Sequence, residues 1–184
     1  ILATLIVPDR GTASVAGHSL GSLVALEFAA RNPDRVRALA LLGPAVPMTV
    51  SDDLLGAAAR NDHVAYELIN GWSFAGGSQL GGNRVPGIWM LGNAMRLMER
   101  LPPGTLFVDL AACNAYANGT TAAEVVTCPT LVVTGARDIM APPRNAQPLI
   151  EALRDVRSVT LPETGHAMMA ERPLEVLDAL RDFL

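Results

Sequence analysis

The sequence predicts an α/β protein with a mostly parallel sheet, flanking helices and an inserted helical segment. Strand, helix and strand follow one another near the start of the chain, and the same order returns near its end. Such a unit joins two parallel strands, because its helix carries the chain back across one face of the sheet. Between the two blocks, residues 49–127 hold helical patterns and no convincing strand.

The first block spans a predicted strand, a helix and a second strand. Residues 12–16 are small and partly β-branched and lead into Gly17, which is typical of a buried strand that ends at a sharp turn. Residues 20–29 are mostly apolar and precede the helix-stopping Pro33. A second apolar run over 36–42 predicts a strand buried on both faces.

The second block predicts strands over 130–134 and 156–161, with a helix over 143–154 between them. The chain then ends in a predicted amphipathic helix over 173–184, where leucines recur at helical spacing and charged residues occupy the other side. These leucines are Leu174, Leu177, Leu180 and Leu184. We expect this helix to cover the sheet.

The middle segment is interpreted as a helical cap inserted into the α/β core. On this interpretation residues 1–48 and 128–184 form the core, and residues 49–127 form the cap. The stretch 71–87 contains six glycines and predicts a loop within the cap.

Composition argues against several classes of protein. With 17% charged residues and a net charge of -4, the chain has no basic surface for nucleic acid, and no apolar run approaches the roughly 18 residues of a membrane span. Cys113 and Cys128 are too few for a disulfide framework and are expected to be free thiols. The apolar residues 1–7 lack the basic leader of a signal peptide, so we expect a cytoplasmic protein.

Residues 17–21 read GHSLG, which matches the pattern GxSxG between a predicted strand and a predicted helix. In this context the serine occupies a strained turn that presents its hydroxyl above the sheet, and the flanking glycines allow strand and helix to approach closely. Ser19 is the candidate nucleophile, and the backbone N–H of Leu20 is the candidate oxyanion donor. The alternative is an ordinary glycine-rich turn with a capping serine.

A serine nucleophile needs a base and an orienting carboxylate. Of the three histidines, His18 adjoins Ser19 and is expected to point elsewhere, and His63 is expected on the surface. His166, in a loop after the last predicted strand, is left as the base. Asp138 follows the strand over 130–134, at the edge where open α/β sheets place their sites, and is the candidate acid.

Three segments, GHSLG, GARD and GHAMMAERP, followed by a helix that closes in RDFL, resemble the nucleophile, acid and histidine regions of capped α/β-hydrolases. The chain order Ser19, Asp138, His166 is also the order of that family. The resemblance implies acyl-enzyme chemistry without a metal or other cofactor. It leaves Asp52 and Asp53, after the second strand, as a less usual place for the acid.

The resemblance also implies four further strands and a second oxyanion loop before residue 1, where the chain begins with Ile rather than Met. We expect residues 1–184 alone to have little activity, because an apolar edge of the sheet would lie open.

A small-molecule carboxylic ester with an apolar acyl or aryl group is the expected substrate. Aromatic and methionine side chains of the cap and of the acid loop predict an apolar pocket, with Trp72, Trp89, Met95 and Met140 as the candidate substrate-binding residues. Two other reactions remain open with the same three residues: hydrolysis of a C–C bond and acyl transfer to an alcohol. A hydrolase-fold binding module without turnover is the non-enzymatic alternative. The sequence does not indicate an oligomeric state.

Overall fold

The computed structural model describes residues 11–82 and 87–184. In this part of the chain four parallel strands form one sheet in the order β1-β2-β3-β4. The strands are β1 (Ala13–His18), β2 (Val36–Leu42), β3 (Thr130–Gly135) and β4 (Val156–Leu161). The predicted parallel sheet is confirmed. Residues 1–7, on which the signal-peptide interpretation depends, lie outside the described residues.

Helices connect the strands and cover the sheet. They are α1 (Leu20–Arg31), α2 (Asp52–Ala59), α3 (Val64–Ser73), α4 (Gly76–Gln79), α5 (Met90–Met98), α6 (Thr105–Ala115), α7 (Gly119–Val125), α8 (Pro143–Ala152), α9 (Met168–Glu171) and α10 (Pro173–Arg181). Among the residues that the structure describes, no helix combines the length and the apolar character needed to cross a membrane.

Strand β2 is buried on both faces because its side chains alternate between two cores. Leu39 and Leu41 contribute to a core with α1, α7 and α8, whereas Ala40 and Leu42 contribute to a core with α9 and α10. Side chains in a strand alternate with a period of two, so a continuous apolar run fills both faces. The sheet is thus the middle layer of three.

The last helix covers the second face, but its buried side differs from the predicted one. Val176 and Ala179 pack against the sheet, and Leu180 is partly buried there. Leu174 and Leu177 are 61% and 55% exposed. The last helix covers the sheet, as predicted, but it does so with Val176 and Ala179 and not with Leu174 and Leu177.

The helical insertion between β2 and β3 has a small apolar core of its own. Its buried members, on α2 and α3, are Leu54, Ala57, Ala58 and Ala65, with Leu106 and Leu110 of α6 packed against them. Helix α7 differs, because Ala122 and Ala123 belong to the core between α1 and α8. Part of the segment over 49–127 therefore lies in the helical layer of the sheet, and the division at 48 and 127 stays a prediction.

The close approach of β1 and α1 depends on Gly17. A Cβ at this position would overlap the backbone of Gly21, the second residue of α1. We expect Gly17→Ala to lower the free energy of unfolding by about 1–3 kcal/mol, since the helix must move away from the strand. Denaturant titration measures this change.

Gly56→Ala is the matched control, because the nearest group to its Cβ is the flexible guanidinium of Arg60, 3.4 Å away. In a helix this change is expected to stabilise the fold by about 0.5–1 kcal/mol. Equal unfolding midpoints for the two variants would contradict the proposed contact.

Candidate active site

Ser19 lies in a strained turn between the last residue of β1 and the first residue of α1. Its backbone angles are φ 55° and ψ -124°. A positive φ is costly for a residue other than glycine, and such residues concentrate at functional sites. The Ser19 N–H donates to the carbonyl of Leu42 at 2.9 Å, and the Ser22 hydroxyl donates to the carbonyl of Ser19 at 2.6 Å. The strand, turn and helix predicted around GHSLG are present.

Leu20, the predicted oxyanion donor, is the first residue of α1. The first N–H groups of a helix have no acceptor within the helix and carry its partial positive charge. The backbone amide of Leu20 is therefore suited to bind an oxyanion that forms beside Ser19.

His166 and Asp138 form a buried pair. His166 Nδ1 lies 2.7 Å from Asp138 Oδ2, and the two residues are 5% and 3% exposed. The other carboxylate oxygen of Asp138 accepts the N–H groups of Met140 at 2.9 Å and Ala141 at 2.8 Å. These two bonds fix the carboxylate, so that Oδ2 faces the imidazole.

The second ring nitrogen of His166 is not engaged by any residue that the structure describes. His166 Nε2 is buried and has no hydrogen-bond partner among the described residues. Ser19 and His166 line the same cavity, which has a volume of about 530 Å³. The hydrogen bond from serine to base is often long or absent in a free enzyme and tightens when substrate binds. Nε2 therefore keeps a free acceptor position, on a residue that shares a cavity with Ser19.

The structure divides the four predicted substrate-binding residues into two pairs. Trp72 and Met140 line the cavity beside Ser19. Trp89 and Met95 are not among the described residues that line it. Trp89 is 71% exposed, and the sulfur of Met95 instead lies 3.8 Å from the amide nitrogen of Asn70 on α3. Helix α5 therefore packs on α3 and not on the cavity.

Several lining residues were missed by the sequence interpretation. Apolar side chains that follow β2 or lie on α2 and α6 complete the cavity wall: Met48, Val50, Leu54, Leu110 and Cys113. Burial, together with the nearby charge of Asp109, raises the pKa of the Cys113 thiol to about 11. Cys113 is thus a neutral wall residue and not a competing nucleophile. No motif in the sequence marks these positions.

His18 is not among the described residues that line the cavity of Ser19, but its side chain contacts the candidate base, which the sequence did not predict. Its Nε2 lies 2.8 Å from the carbonyl oxygen of His166, and the two imidazole rings are 4.7 Å apart between centroids. Burial and the neighbouring His166 lower the pKa of His18 to about 4. At neutral pH His18 is uncharged, and its ring N–H donates to the backbone of the candidate base.

The other candidate residues lie away from the pair. Asp52 and Asp53 are exposed in the first turn of α2, where carboxylates are favourable at a helix N-terminus. His63 is on the surface, as expected, between Glu67 at 3.2 Å and Glu99 at 3.1 Å. Within residues 11–82 and 87–184, no group of three or more His, Cys, Asp or Glu side chains is arranged to hold a metal ion.

The chain is similar in sequence to one protein family and to individual bacterial proteins. The family described as "Serine aminopeptidase, S33" matches residues 6–173. The pimeloyl-[acyl-carrier protein] methyl ester esterase of Neisseria meningitidis serogroup A is 28% identical over 190 residues, covering 94% of this chain and 57% of the relative. A putative carbamate hydrolase of Pseudomonas savastanoi is 27% identical, over 91% of this chain and 66% of that protein. This chain thus spans less than two thirds of the length of either relative.

Solved structures share the fold at low sequence identity. An enol-lactonase from Burkholderia xenovorans superposes with a TM-score of 0.82 at 22% identity, over 94% of this chain and 65% of that one. A thermophilic esterase gives a TM-score of 0.77 at 24% identity, over 93% of this chain and 65% of that one. Both likenesses concern the fold of the chain.

His18 should make the fold sensitive to acid. Its pKa is about 4 in the folded protein and 6.5 ordinarily, so the unfolded chain takes up this proton first as the pH falls. The stability that neutral His18 contributes is present above pH 6.5 and is lost between pH 6.5 and about 4. Thermal melting across this range measures the loss.

His18→Gln is the test variant, because its amide N–H can still donate to the His166 carbonyl but cannot titrate. We expect its melting temperature to fall less steeply between pH 6.5 and 4 than that of the wild type. Parallel curves for the two proteins would show that another group causes the acid sensitivity.

Proposed function

The chain belongs to the serine aminopeptidase S33 family of the α/β-hydrolase superfamily, and from this premise we propose that it is a serine hydrolase that cleaves carboxylic esters through an acyl-enzyme. Ser19 is the nucleophile, His166 the general base and acid, and Asp138 the residue that orients the base. The proposal covers the substrate as well: a small ester with an apolar acyl or aryl group.

One observation carries this proposal. The imidazole of His166 is held at Nδ1 by Asp138 at 2.7 Å, while its buried Nε2 has no partner among the described residues. His166 also lines the same cavity as Ser19. A histidine that acts as a general base needs one ring nitrogen held by a hydrogen bond and the other free to accept a proton. A protein that only binds a ligand does not need the two nitrogens to differ in this way. The strained backbone of Ser19 adds to this support.

In the first half of the reaction the Ser19 hydroxyl oxygen attacks the ester carbonyl carbon while its proton passes to His166 Nε2. The carbonyl oxygen becomes an oxyanion, which the N–H of Leu20 stabilises. Asp138 stabilises the imidazolium through the Nδ1–H bond without taking the proton. The C–O bond to the alcohol then breaks, and His166 returns its proton to the leaving alkoxide.

In the second half water takes the place of the alcohol. His166 Nε2 removes a proton from water, the hydroxide adds to the acyl carbon, and the ester bond to Ser19 breaks. The carboxylic acid leaves, and the proton returns to the serine oxygen. One water is consumed, and one acid and one alcohol are formed.

The wall of the cavity supports an apolar substrate. Trp72, Leu54 and Met140 line it together with the neutral thiol of Cys113. These apolar side chains suit a hydrocarbon part of the substrate. Polar residues line the cavity beside them, namely Ser19, Thr49, Ser51, Arg144, Asn145 and His166. The names of the two relatives, a methyl ester esterase and a putative carbamate hydrolase, also describe hydrolysis at an acyl carbon.

In the full-length protein we expect Ser19→Ala to lower the hydrolysis of aryl esters on the order of 10³-fold or more, because the attacking oxygen is lost and other parts of the site remain. Initial rates with 4-nitrophenyl esters and labelling by a fluorophosphonate measure the effect. Ser158→Ala, at an exposed serine on β4, is the matched control and should keep the wild-type rate. A Ser19→Ala protein that keeps a tenth of the rate would remove Ser19 from the mechanism.

Replacing each candidate acid in turn tests whether Asp138, and not Asp52 or Asp53, orients His166. Asp138→Asn is expected to lower kcat on the order of 10⁴-fold, since an amide cannot stabilise the imidazolium or hold its working tautomer. Asp52→Asn and Asp53→Asn, on the exposed first turn of α2, should change kcat less than twofold. Loss of activity in either of these two, with an active Asp138→Asn protein, would place the acid after β2.

A further inference from the structure

Glu171 is a buried carboxylate to which the reaction proposed above gives no role. It lies at the end of α9 and is 1% exposed. One oxygen accepts the N–H of Gly165 at 2.8 Å, and the other accepts the N–H of Ala75 at 3.0 Å and the hydroxyl of Ser78 at 2.7 Å. No cation pairs with this carboxylate in the part of the chain that the structure describes. Three neutral donors therefore compensate for its burial.

The donors come from two parts of the molecule that surround the candidate base. Gly165 immediately precedes His166, whereas Ala75 and Ser78 belong to residues 73–78, which run from the last residue of α3 into α4 in the helical insertion. On the other side of the base, the N–H of Ala167 donates directly to the carbonyl of Ser73 at 2.8 Å. The backbone before and after His166 is thus hydrogen-bonded to the insertion, once through Glu171 and once directly.

Packing at Gly165 shows how close this contact is. A Cβ at Gly165 would lie 2.6 Å from the nitrogen of Ala75 and 2.8 Å from the Glu171 carboxylate. Neither distance is compatible with a side chain. The histidine loop and residues 73–78 are therefore in backbone contact at this point, and a shift of one moves the other.

We propose that Glu171 is a positioning residue for His166, which joins the histidine loop to the helical insertion and sets the imidazole between Asp138 and the cavity. This role rests on the proposed function, in which His166 is the base. Asp138 holds the ring at Nδ1, the carbonyl of His166 accepts from His18, and the N–H of Arg137 donates to the carbonyl of Thr164 at 2.8 Å. None of these bonds joins the histidine loop to the helical insertion. Glu171 does so through Gly165.

Glu171 and Ser78 are not among the residues that line the cavity of Ser19 and His166. Substitutions at either position therefore leave the substrate contacts of the wall in place. A merely structural role would lower the melting temperature in proportion to the lost bonds, without a specific effect on the chemical step. A positioning role predicts a loss in kcat at nearly constant KM.

Glu171→Gln is the main test variant. The glutamine side chain has the size of glutamate, but one of its two polar ends is an NH2 group that donates. This group must face either the Gly165 N–H or the Ala75 N–H and the Ser78 hydroxyl. In both cases two hydrogen-bond donors point at each other and a hydrogen bond is lost. We expect kcat and the rate of fluorophosphonate labelling to fall about ten- to a hundredfold, with KM changed less than threefold. A displacement of about 1 Å in a catalytic group causes a loss of this size. The proton resonance of His166 Nδ1–H should also shift or broaden.

Thr130→Val is the matched control for lost stability. Thr130 is buried at the amino end of β3, far from the carboxyl edge, and its hydroxyl donates to the carbonyl of Cys128 at 3.2 Å. This variant should lower the melting temperature while keeping at least half of kcat and an unchanged Nδ1–H resonance. Equal kcat and equal resonances in Glu171→Gln and the wild type would overturn the proposal.

Ser78→Ala decides the matter if Glu171→Gln does not fold. Ser78→Ala removes one of the three donors to the carboxylate, so we expect kcat to fall about threefold with KM unchanged. A kcat equal to that of the wild type, together with an unchanged Nδ1–H resonance, would contradict the role of Glu171. The resonance is measured without substrate. The two proposals can therefore fail separately. If the wild type neither hydrolyses esters nor reacts with fluorophosphonate, the proposed function is wrong. If the His166 resonance is the same in the variant and the wild type, Glu171 does not position the histidine.

Discussion

The hydrogen bond between His166 Nδ1 and Asp138 Oδ2, 2.7 Å long, is the interaction on which the site depends. It joins the loop after β3 to the loop after β4, and it is possible because these strands are parallel neighbours in register from Thr130 opposite Val156 to Gly135 opposite Leu161. Parallel neighbours end at the same edge of the sheet, so residues 28 positions apart in the chain meet there.

Ser19 reaches the same edge by a different constraint. Strand β1 is separated from β3 by β2, and the Ser19 N–H is bonded to the carbonyl of Leu42 at the end of β2. Glycine at position 17 allows α1 to start directly above the strand, and Gly43 after β2 leaves room for the His166 ring, since a Cβ there would lie 3.2 Å from it. Small residues at the strand ends let three loops converge on one cavity.

The helical insertion contributes to this edge in two ways. Leu54, Trp72 and Leu110 form part of the cavity wall. Residues 73–78 are linked to the backbone on both sides of His166, directly at Ala167 and through the Glu171 carboxylate at Gly165. The helical insertion therefore lines the cavity and also contacts the loop of the candidate base. A buried carboxylate at this junction requires donors on every accessible side, which Gly165, Ala75 and Ser78 supply.

The sequence by itself determined the parallel sheet, the turn at Ser19 and the loops of Asp138 and His166, because apolar runs, glycine pairs and strand ends are local signals. It did not determine which aromatic and methionine residues reach the cavity: Trp89 and Met95 carry the same signal as Trp72 and Met140 but lie elsewhere. Nor did it locate the contacts of His18 and Glu171. Helix orientation and pairing between distant loops depend on how whole elements pack, and only the tertiary structure decided these contacts.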